Sequence, residues 1–594
     1  MGKQNYFAKF LQWRAKNLPD TIFLILLSII IGLLTGFAAF LLKETVYGIE
    51  DRLLSFYNSS QRVYLFLIYP LIGILLTVIF LRFIVRDNVG HGVPRILYAI
   101  SKLDGSMRRH KIFSSLIGGS LTAGFGGSVG LESPVISTGA SIGSYLGQVL
   151  KLSYKHKTLL IGCGVAGAMA SIFTTPIAAV IFGFEVLLLD LSTAAIIPLL
   201  ISSVTGAVTT KMLLSEQYLV HFKISQEFDI SDIPYFVILG VVAGFVSVYF
   251  HYAHFKIINL FSKIKSFWIK AFVGGGLLGV ILFFFPALYS EGYEMIRDIV
   301  SGNATDILNN SFFADSENMW TLVGFAMFLM LFKVIATTLT TEAGGVGGIF
   351  APAAVMGGLT GFVLSRSINN VFGTLDLHES NFTLIGMASV LGGVLQAPLT
   401  AIFLIAEMSN GYELIVPLML STSIAFLIAR TFNKHSLFHR RLIEQGLFLH
   451  YRDKSVLKQM RIPDLVETNV LKINVHDSLG DLVENVKKAK RNIFAVVDDD
   501  DTFIGVISLE EIRLDMFDKK KYDNPVTDYL YHMLDDDKVS INEDLQEVMN
   551  KFNRTGNYNL MVIDGNKYVG LVSRANILKA YRENLLAEES DEKG

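Results

Sequence analysis

Charged residues and cysteine are scarce in this sequence of 594 residues. Charged side chains make up 18% of it, whereas soluble proteins have about 25%. A single cysteine, Cys163, excludes an intramolecular disulfide framework and fits no metal-ligand spacing. The 51 basic residues nearly balance the 53 acidic ones, which gives no reason to expect a nucleic-acid partner. We therefore expect neither a disulfide-rich secreted protein, nor a metal site, nor a nucleic-acid-binding protein.

Long apolar runs account for much of the chain. Hydrophobic residues make up 52% of it, and the mean hydropathy is +0.47. Residues 21–43 are long enough to cross a hydrocarbon core about 30 Å thick, and the basic residues before them favour a cytoplasmic segment over 1–20. Other apolar runs are broken by glycine and proline, as happens at membrane depth where backbone lines a cavity or is buried in protein. The sequence predicts an α-helical, multi-pass protein of the plasma or inner membrane.

A gapped glycine pattern occurs twice in the apolar part of the chain. Its offset is 218 residues in one block (344 − 126 = 218) and 222 in the next (386 − 164 = 222). Two diverged copies of one unit are typical of transporters whose pathway lies between inverted-topology repeats of tilted and broken helices. We predict a membrane domain over 21–434, with repeats at about 21–214 and 233–434. The residues that recur are Gly126, Gly127, Gly130, Pro134, Gly139 and Gly143 in the first block, and Gly164, Ala166, Pro176, Ala179 and Glu185 in the second.

Each copy of the first glycine block leads into a helix start marked by proline. The two copies read GFGGSVGLESPV and GGVGGIFAPAAV. Bare glycine backbone before a helix N-terminus directs unpaired N–H groups and the positive end of the helix dipole at one point. Glycine also permits close helix packing, but packing does not explain a proline at the same place in both copies. We predict an anion site between the two helix starts.

Glu132 is the carboxylate inside the first glycine block. A carboxylate at membrane depth costs roughly 3 kcal/mol, and Phe350 takes its place in the second copy, so the fold does not require an acid there. An ionised Glu132 competes with the anion for N–H groups and swings clear when protonated, which predicts a proton-sensitive gate. His91, in GHGVP at 90–94, is a further candidate; an anion-site role and a structural role both stay open for it.

From about residue 455 the sequence has the composition and the strand-like patterns of a soluble domain. The strand-like runs NIFAVVD and FIGVISL are followed by a second set, NYNLMVID and YVGLVS. We predict a linker over 435–455 and an α/β domain over 456–594 made of two copies, at about 456–518 and 524–585. Basic residues at 434–441 place this tail in the cytoplasm.

These segments together carry a resemblance to a known family. GHGVP, GLESP and GGIFAP, in this order, resemble the three anion-site motifs of the CLC family of chloride channels and proton-coupled chloride exchangers. The tail resembles the pair of CBS domains that many members carry. The resemblance implies a homodimer in which each subunit has its own pathway, with chloride or a similar anion as substrate and bound ligand. No cofactor is required, and no residue pattern indicates an enzyme.

The resemblance also implies roles for individual residues. Glu132 is the gating glutamate, and Val186 replaces the inner glutamate that relays protons in exchangers. Leu131 replaces an arginine of the family motif, which should weaken the local attraction for anions. Neither residue at the serine and tyrosine positions of the family, His91 and Phe438, has a hydroxyl group. The implied anion-binding positions are His91, Gly92, Val93, Gly130, Leu131, Ile349, Phe350 and Phe438.

Selective anion transport gated by Glu132 is the predicted function. Val186 favours passive, channel-like conduction, and H⁺-coupled antiport is the alternative. A divalent-cation transporter with CBS domains is a remote third, because the membrane half offers only scattered carboxylates for Mg²⁺. In the tail, the alternatives are dimerisation and an adenine-nucleotide site formed by Ser508, Glu511, Ser573 and Asn576.

Overall fold

The chain forms two units that are described separately, Met1–Leu449 and His450–Gly594. His91 lies outside the residues that the structure describes. In this computed structural model the described residues are 14, 16–60, 64–87, 92–187, 193–215, 222, 229–309, 311–314, 318–373, 376–409, 411–444, 460–468, 470–487, 489, 491–531, 533 and 537–591.

The helices of the first unit expose many apolar side chains and bury some polar ones. The first helix, α1 (Asp20–Ser60), exposes Leu33 and Phe37 but fully buries Thr35 and Lys43. This is the reverse of the pattern on a helix at the surface of a soluble protein. Among the described residues, eight helices are long and apolar enough to cross a membrane. The first unit is therefore a multi-pass membrane domain.

The described part of each half contains eight α-helices. The first half has α1, α2 (Leu65–Ile79), α3 (Gly92–Lys102), α4 (Lys111–Gly124), α5 (Glu132–Val149), α6 (Tyr154–Phe173), α7 (Pro176–Glu185) and α8 (Thr193–Leu213). The second has α9 (Ile233–Ser262), α10 (Phe267–Phe284), α11 (Tyr293–Val300), α12 (Met319–Glu342), α13 (Phe350–Phe372), α14 (Glu379–Leu395), α15 (Pro398–Met408) and α16 (Ile415–Phe432).

A further helix, α17 (Leu437–Glu444), follows the second half and packs on α3. Its side chains Leu437 and Phe438 are buried. The segment predicted as a linker over 435–455 therefore begins with a helix of the membrane domain, because these two apolar side chains pack into it.

Equivalent residues of the two halves make equivalent contacts. The Glu185 carboxylate accepts hydrogen bonds from the N–H groups of Leu399 (3.1 Å) and Thr400 (2.7 Å) at the start of α15. Glu407 in turn accepts from Ile177 (3.1 Å) and Ala178 (2.8 Å) at the start of α7. Each acid thus satisfies two unpaired N–H groups at the other half's helix start. The repeat seen in the sequence is a two-fold relation in space.

The direction of the two halves follows from one pair of residues. Gly130 and Gly348, which are equivalent by the 218-residue offset, form an antiparallel bridge. The N–H of Gly130 donates to the carbonyl of Gly348 (3.0 Å), and the reverse hydrogen bond measures 2.8 Å. Antiparallel pairing of equivalent residues means that the two copies run in opposite directions there. The predicted inverted-topology repeat of helices is confirmed.

Glycines allow the repeated helices to pack backbone to backbone. A Cβ at Gly139 of α5 would lie 2.1 Å from the carbonyl oxygen of Gly164 in α6. The same contact recurs between α13 and α14, where a Cβ at Gly357 would lie 2.3 Å from the Gly386 oxygen. Close approach of this kind is the usual route to tight helix association in membranes.

The second unit contains two small mixed sheets, one for each copy of the predicted tail repeat. In each sheet the first strand pairs parallel with the second, which pairs antiparallel with the third. The strands are β1 (Lys472–Asn474), β2 (Ile493–Val497), β3 (Phe503–Ser508), β4 (Lys538–Ser540), β5 (Asn559–Asp564) and β6 (Lys567–Ser573), and the helices are α18 (Leu479–Val486), α19 (Leu509–Ile512), α20 (Leu545–Thr555) and α21 (Arg574–Asp591).

The turn between β2 and β3 is held by its own aspartate. The Asp498 carboxylate accepts hydrogen bonds from the N–H groups of Thr502 (2.7 Å) and Asp500 (3.0 Å). The Thr502 N–H stabilises the ionised form and holds the pKa of Asp498 below its ordinary value. The acidic run at 498–501 therefore has a structural role in closing this turn.

Adding a methyl group at the α5–α6 contact should destabilise the protein. We expect Gly139→Ala to cost about 1–3 kcal/mol or more, because the new Cβ overlaps a backbone oxygen that cannot move aside. Gly324→Ala in α12 is the matched control, since nothing lies within 4 Å of the new Cβ, and it should be neutral or stabilising by up to about 1 kcal/mol. Thermal unfolding in detergent measures both. Equal midpoints for the two variants would contradict the packing argument.

Candidate functional site

Three helix N-termini and the start of α17 surround one cavity at the centre of the membrane domain. The helices α3, α5 and α13 begin there, and their first N–H groups have no partner within their own helix. The cavity measures about 50 Å³, and one water needs about 10–15 Å³, so an anion fits there with little hydration. It is lined by Gly92, Val93, Pro94, Glu132, Ser133, Ile136, Phe182, His254, Thr341, Gly347, Gly348, Ile349, Phe350, Leu437 and Phe438.

The glycine bridge sets which N–H groups face the cavity. The N–H groups of Gly130 and Gly348 are used in the bridge itself. The N–H of Leu131 donates to the carboxylate of Glu291 (3.2 Å). Ile349 and Phe350 lie at the first turn of α13, where the helix offers no acceptor for their N–H groups. In this conformation the donors left at the cavity on this side belong to Ile349 and Phe350, and those of Gly130 and Leu131 serve the scaffold.

The Glu132 side chain lies at the cavity together with Ile349 and Phe350. It is 1% exposed, and its Oε1 accepts a hydrogen bond from the hydroxyl of Tyr293 (3.4 Å). The N–H of Ala351, in the first turn of α13, faces the carboxylate. Oε2 accepts no hydrogen bond of standard geometry from the described residues. The carboxylate therefore lies at the positive ends of α5 and α13, where an anion would also be stabilised.

Two glycines make room for the side chains at the start of α5. A Cβ at Gly130 would lie 1.9 Å from Oε2 of Glu132, and a Cβ at Gly92 would lie 2.1 Å from Oγ of Ser133. Neither position accepts a larger residue without moving those side chains. The glycines of the two motifs thus position the gate residue, in addition to exposing backbone.

Two buried lysines lie beside the Glu132 loop and were missed by the sequence reasoning. Lys333 of α12 donates to Oγ of Ser128 (2.9 Å) and to the carbonyl of Ser290 (3.1 Å). Lys43 of α1 donates to the carbonyl of Ile172 (2.8 Å). The charges of both lysines act on Glu132 and on the buried Glu291. Their signal in the sequence was a lone lysine within an apolar run, FLLKETV and LFKVIA.

These lysines bear on the expectation drawn from Leu131, which stays a prediction. The loss of the motif arginine was expected to weaken the local attraction for anions. In the structure, two buried lysine side chains from distant helices lie near the same loop and interact electrostatically with Glu132 and with the buried Glu291. A reading of the motif alone misses them, because their positions in the sequence lie 88 residues before Leu131 (131 − 43) and 202 after it (333 − 131).

The structure brings most predicted site residues to the cavity. Gly92, Val93, Ile349, Phe350 and Phe438 line it together with Glu132. Val186 is buried at the end of α7 and is not among the lining residues that the structure describes.

His254 of α9 lines the cavity but was not predicted. Its Nδ1 lies 2.9 Å from Oγ1 of Thr338. It is the second titratable side chain among the described lining residues, after Glu132. A histidine at this depth in an apolar helix was its only signal in the sequence.

Both units match known protein families. The model of the family described as "Voltage gated chloride channel" matches residues 72–430, and that of the CBS domain matches 462–517 and 526–583. The H(+)/Cl(-) exchange transporter ClcA of Yersinia pestis is 24% identical over 422 residues, which cover 68% of this chain and 84% of that protein.

Two solved structures share the fold. A slow cyanobacterial Cl⁻/H⁺ antiporter has a TM-score of 0.61 at 21% identity, covering 73% of this chain and 100% of that one. A eukaryotic CLC transporter has a TM-score of 0.59 at 17% identity, covering 93% and 97%. The family match spans more than half of the chain and agrees with the cavity between inverted helix starts. The chain therefore belongs to the CLC family of anion transport proteins and carries a pair of CBS domains.

Proposed function

We propose that this protein exchanges a small anion, with chloride as the first candidate, for protons across the membrane. The observation that carries the proposal is the Glu132 carboxylate, which lies within the cavity at the helix starts where an anion would bind. Two of the three proteins reported above are named as an H⁺/Cl⁻ exchanger or antiporter, which supports coupling over the passive conduction that Val186 favoured. A carboxylate that alternates between anion site and proton carrier is sufficient to link the two fluxes.

The physical basis of the exchange is that Glu132 and an anion compete for the positive N-terminal ends of the same helices. When ionised, Glu132 interacts with the dipoles of α5 and α13 and keeps an anion out. When protonated, it loses this attraction, and the N–H groups of Ile349 and Phe350 become available to an anion from solution. Proton and anion therefore stabilise the same displaced position of Glu132. When Glu132 loses its proton, its ionised side chain returns to the helix starts and expels an anion. The released proton leaves separately from the anion.

Flux in sealed liposomes tests this proposal. We expect a chloride gradient to drive H⁺ movement in the wild type, and Glu132→Gln to abolish H⁺ movement while anion flux persists. Glu407→Gln is the control, because this acid caps α7 away from the cavity and should leave coupling intact. Chloride flux without any H⁺ movement in the wild type would assign the protein to passive conduction.

A second prediction uses the space beside the Glu132 carboxylate. Gly130→Ala places a Cβ 1.9 Å from Oε2 and should displace the side chain, so that anion flux approaches that of Glu132→Ala and loses its pH dependence. Gly348→Ala is the matched control at the equivalent position, where the new Cβ lies 3.5 Å from the same oxygen. Flux between pH 5 and 8 measures both variants. A retained pH dependence in Gly130→Ala would contradict the proposed position of the gate.

A third prediction concerns the apolar wall of the cavity. Phe438→Tyr adds a hydroxyl near the anion site, and a hydrogen bond to a charged group contributes about 1.5–3 kcal/mol, so anion binding should tighten about tenfold or more. Phe432→Tyr is the control, because this side chain is exposed at the end of α16. Calorimetric titration with chloride measures both. An unchanged affinity in Phe438→Tyr would remove this residue from the site.

The role of the tail is a separate proposal. Ser508 and Glu511 form a capping box at the start of α19. Ser573 and Asn576 donate to the carboxylate of Glu467 (3.3 and 2.7 Å). These contacts give all four residues a structural task, so we favour dimerisation and coupling to the membrane domain over an adenine-nucleotide site. We also propose that both termini are cytoplasmic and that two copies form a homodimer with separate pathways.

A further inference from the structure

Proton coupling needs a group that delivers protons to Glu132 from the far side of the cavity. The end of α7 offers no such group, because Val186 and Leu187 are aliphatic and buried. The Glu185 carboxylate is held by two N–H groups and by the hydroxyl of Thr400 (2.7 Å). If the protein exchanges protons, the delivery has another route.

We propose that His254 is the proton carrier that delivers protons to Glu132 from the side of the cavity at which α17 begins. This inference rests on the proposed exchange. His254 and Glu132 are the two titratable side chains among the described residues lining the cavity. His254 shares this cavity with Leu437 and Phe438 of α17, whereas Glu132 lies at the starts of α5 and α13.

The hydrogen bond between His254 and Thr338 indicates which ring nitrogen carries the hydrogen. The hydroxyl of Thr338 donates its proton to the carbonyl of Val334 (2.7 Å), so its oxygen acts as acceptor toward His254. The Nδ1 of His254, 2.9 Å from that oxygen, therefore carries the hydrogen. In the neutral ring the lone pair is then on Nε2, which is the nitrogen that takes up a proton.

Packing holds the ring in place while leaving it at the cavity. Its centroid lies 6.2 Å from that of Phe250 and 5.6 Å from that of Phe255, and the residue is 7% exposed. The cavity volume of about 50 Å³ is sufficient for several waters at about 10–15 Å³ each, so a proton can pass to Glu132 along water. The step is one proton leaving Nε2 and one arriving at the Glu132 carboxylate.

Charged side chains lie on the helix of His254 and on the helices packed against it. The guanidinium of Arg440 on α17 lies 4.0 Å from the ring centre of Phe255, which in turn packs on the ring of His254. The other titratable side chains on its own helix are Tyr235, Tyr249, His251, Tyr252 and Lys256. Those on neighbouring helices include Lys333 and Glu342 on α12, Arg366 paired with Glu379 between α13 and α14, Arg430 on α16, His439 on α17, and Arg95, Tyr98 and Lys102 on α3.

Paired fluxes of Cl⁻ and H⁺ in liposomes test the inference. We expect His254→Gln, which keeps a donor for Thr338, to lower H⁺ flux at least about tenfold and to lower chloride flux by much less. His251→Gln is the matched control, since this buried histidine on the same helix bonds to the carbonyl of Ser247 (3.0 Å) and should keep the H⁺ flux. Adding Val186→Glu to His254→Gln should restore H⁺ flux by providing a carboxylate at the inner position.

The outcomes separate this inference from the function it rests on. If the wild type couples H⁺ to Cl⁻ and His254→Gln couples equally well, His254 is not the carrier but exchange stands. If the wild type moves no H⁺, exchange and the carrier role both fail. Loss of chloride flux together with H⁺ flux in His254→Gln would assign the residue to packing and overturn the inference.

Discussion

The reciprocal hydrogen bonds between Gly130 and Gly348 are the constraint on which the site depends. They join two equivalent loops at the pseudo-two-fold axis and so fix the starts of α5 and α13 against each other. Two helix N-termini carry partial positive charges that favour separation, and a site between them needs a rigid connection. Because both residues are glycine, the backbones meet without side chains, and the N–H groups of Ile349 and Phe350 are left as donors at the cavity. The anion site is thus a consequence of the repeat.

Much of the fold was predictable because the internal symmetry produces a repeat of residues in the sequence. Gly139 and Gly164 recur as Gly357 and Gly386 since both helix pairs need the same close backbone contact. Glu185 and its counterpart recur because each caps a helix of the other half. A contact that is required twice restricts two positions in the same way, and the offset between them can be read directly.

The unpredicted parts of the site are those that the symmetry does not repeat. Lys43, Lys333 and Glu291 each belong to one half, and their closeness to Glu132 arises only when α1, α12 and the chain before α11 pack together. His254 reaches the cavity through the packing of α9 on α12, far from every motif. Motif reasoning found residues adjacent to glycine blocks, and tertiary packing decided the rest.

The placement of positive charge on scaffold helices has a consequence for a moving gate. An arginine next to the gating acid on the same loop would tend to follow it or hold it as an ion pair. Lys43 instead donates to the carbonyl of Ile172, and Lys333 donates to the carbonyl of Ser290 and to the hydroxyl of Ser128 on the Glu132 loop.

None of these acceptors is Glu132, so the hydrogen bonds can persist when its side chain moves. A protonated lysine held in this way acts on whichever negative group is present, the carboxylate or an anion, with little reorganisation between the two states. It makes the exchange of one negative group for another less costly than a mobile counter-ion would. This replacement of a loop arginine by two anchored lysines is therefore compatible with a working gate, although it departs from the family motif.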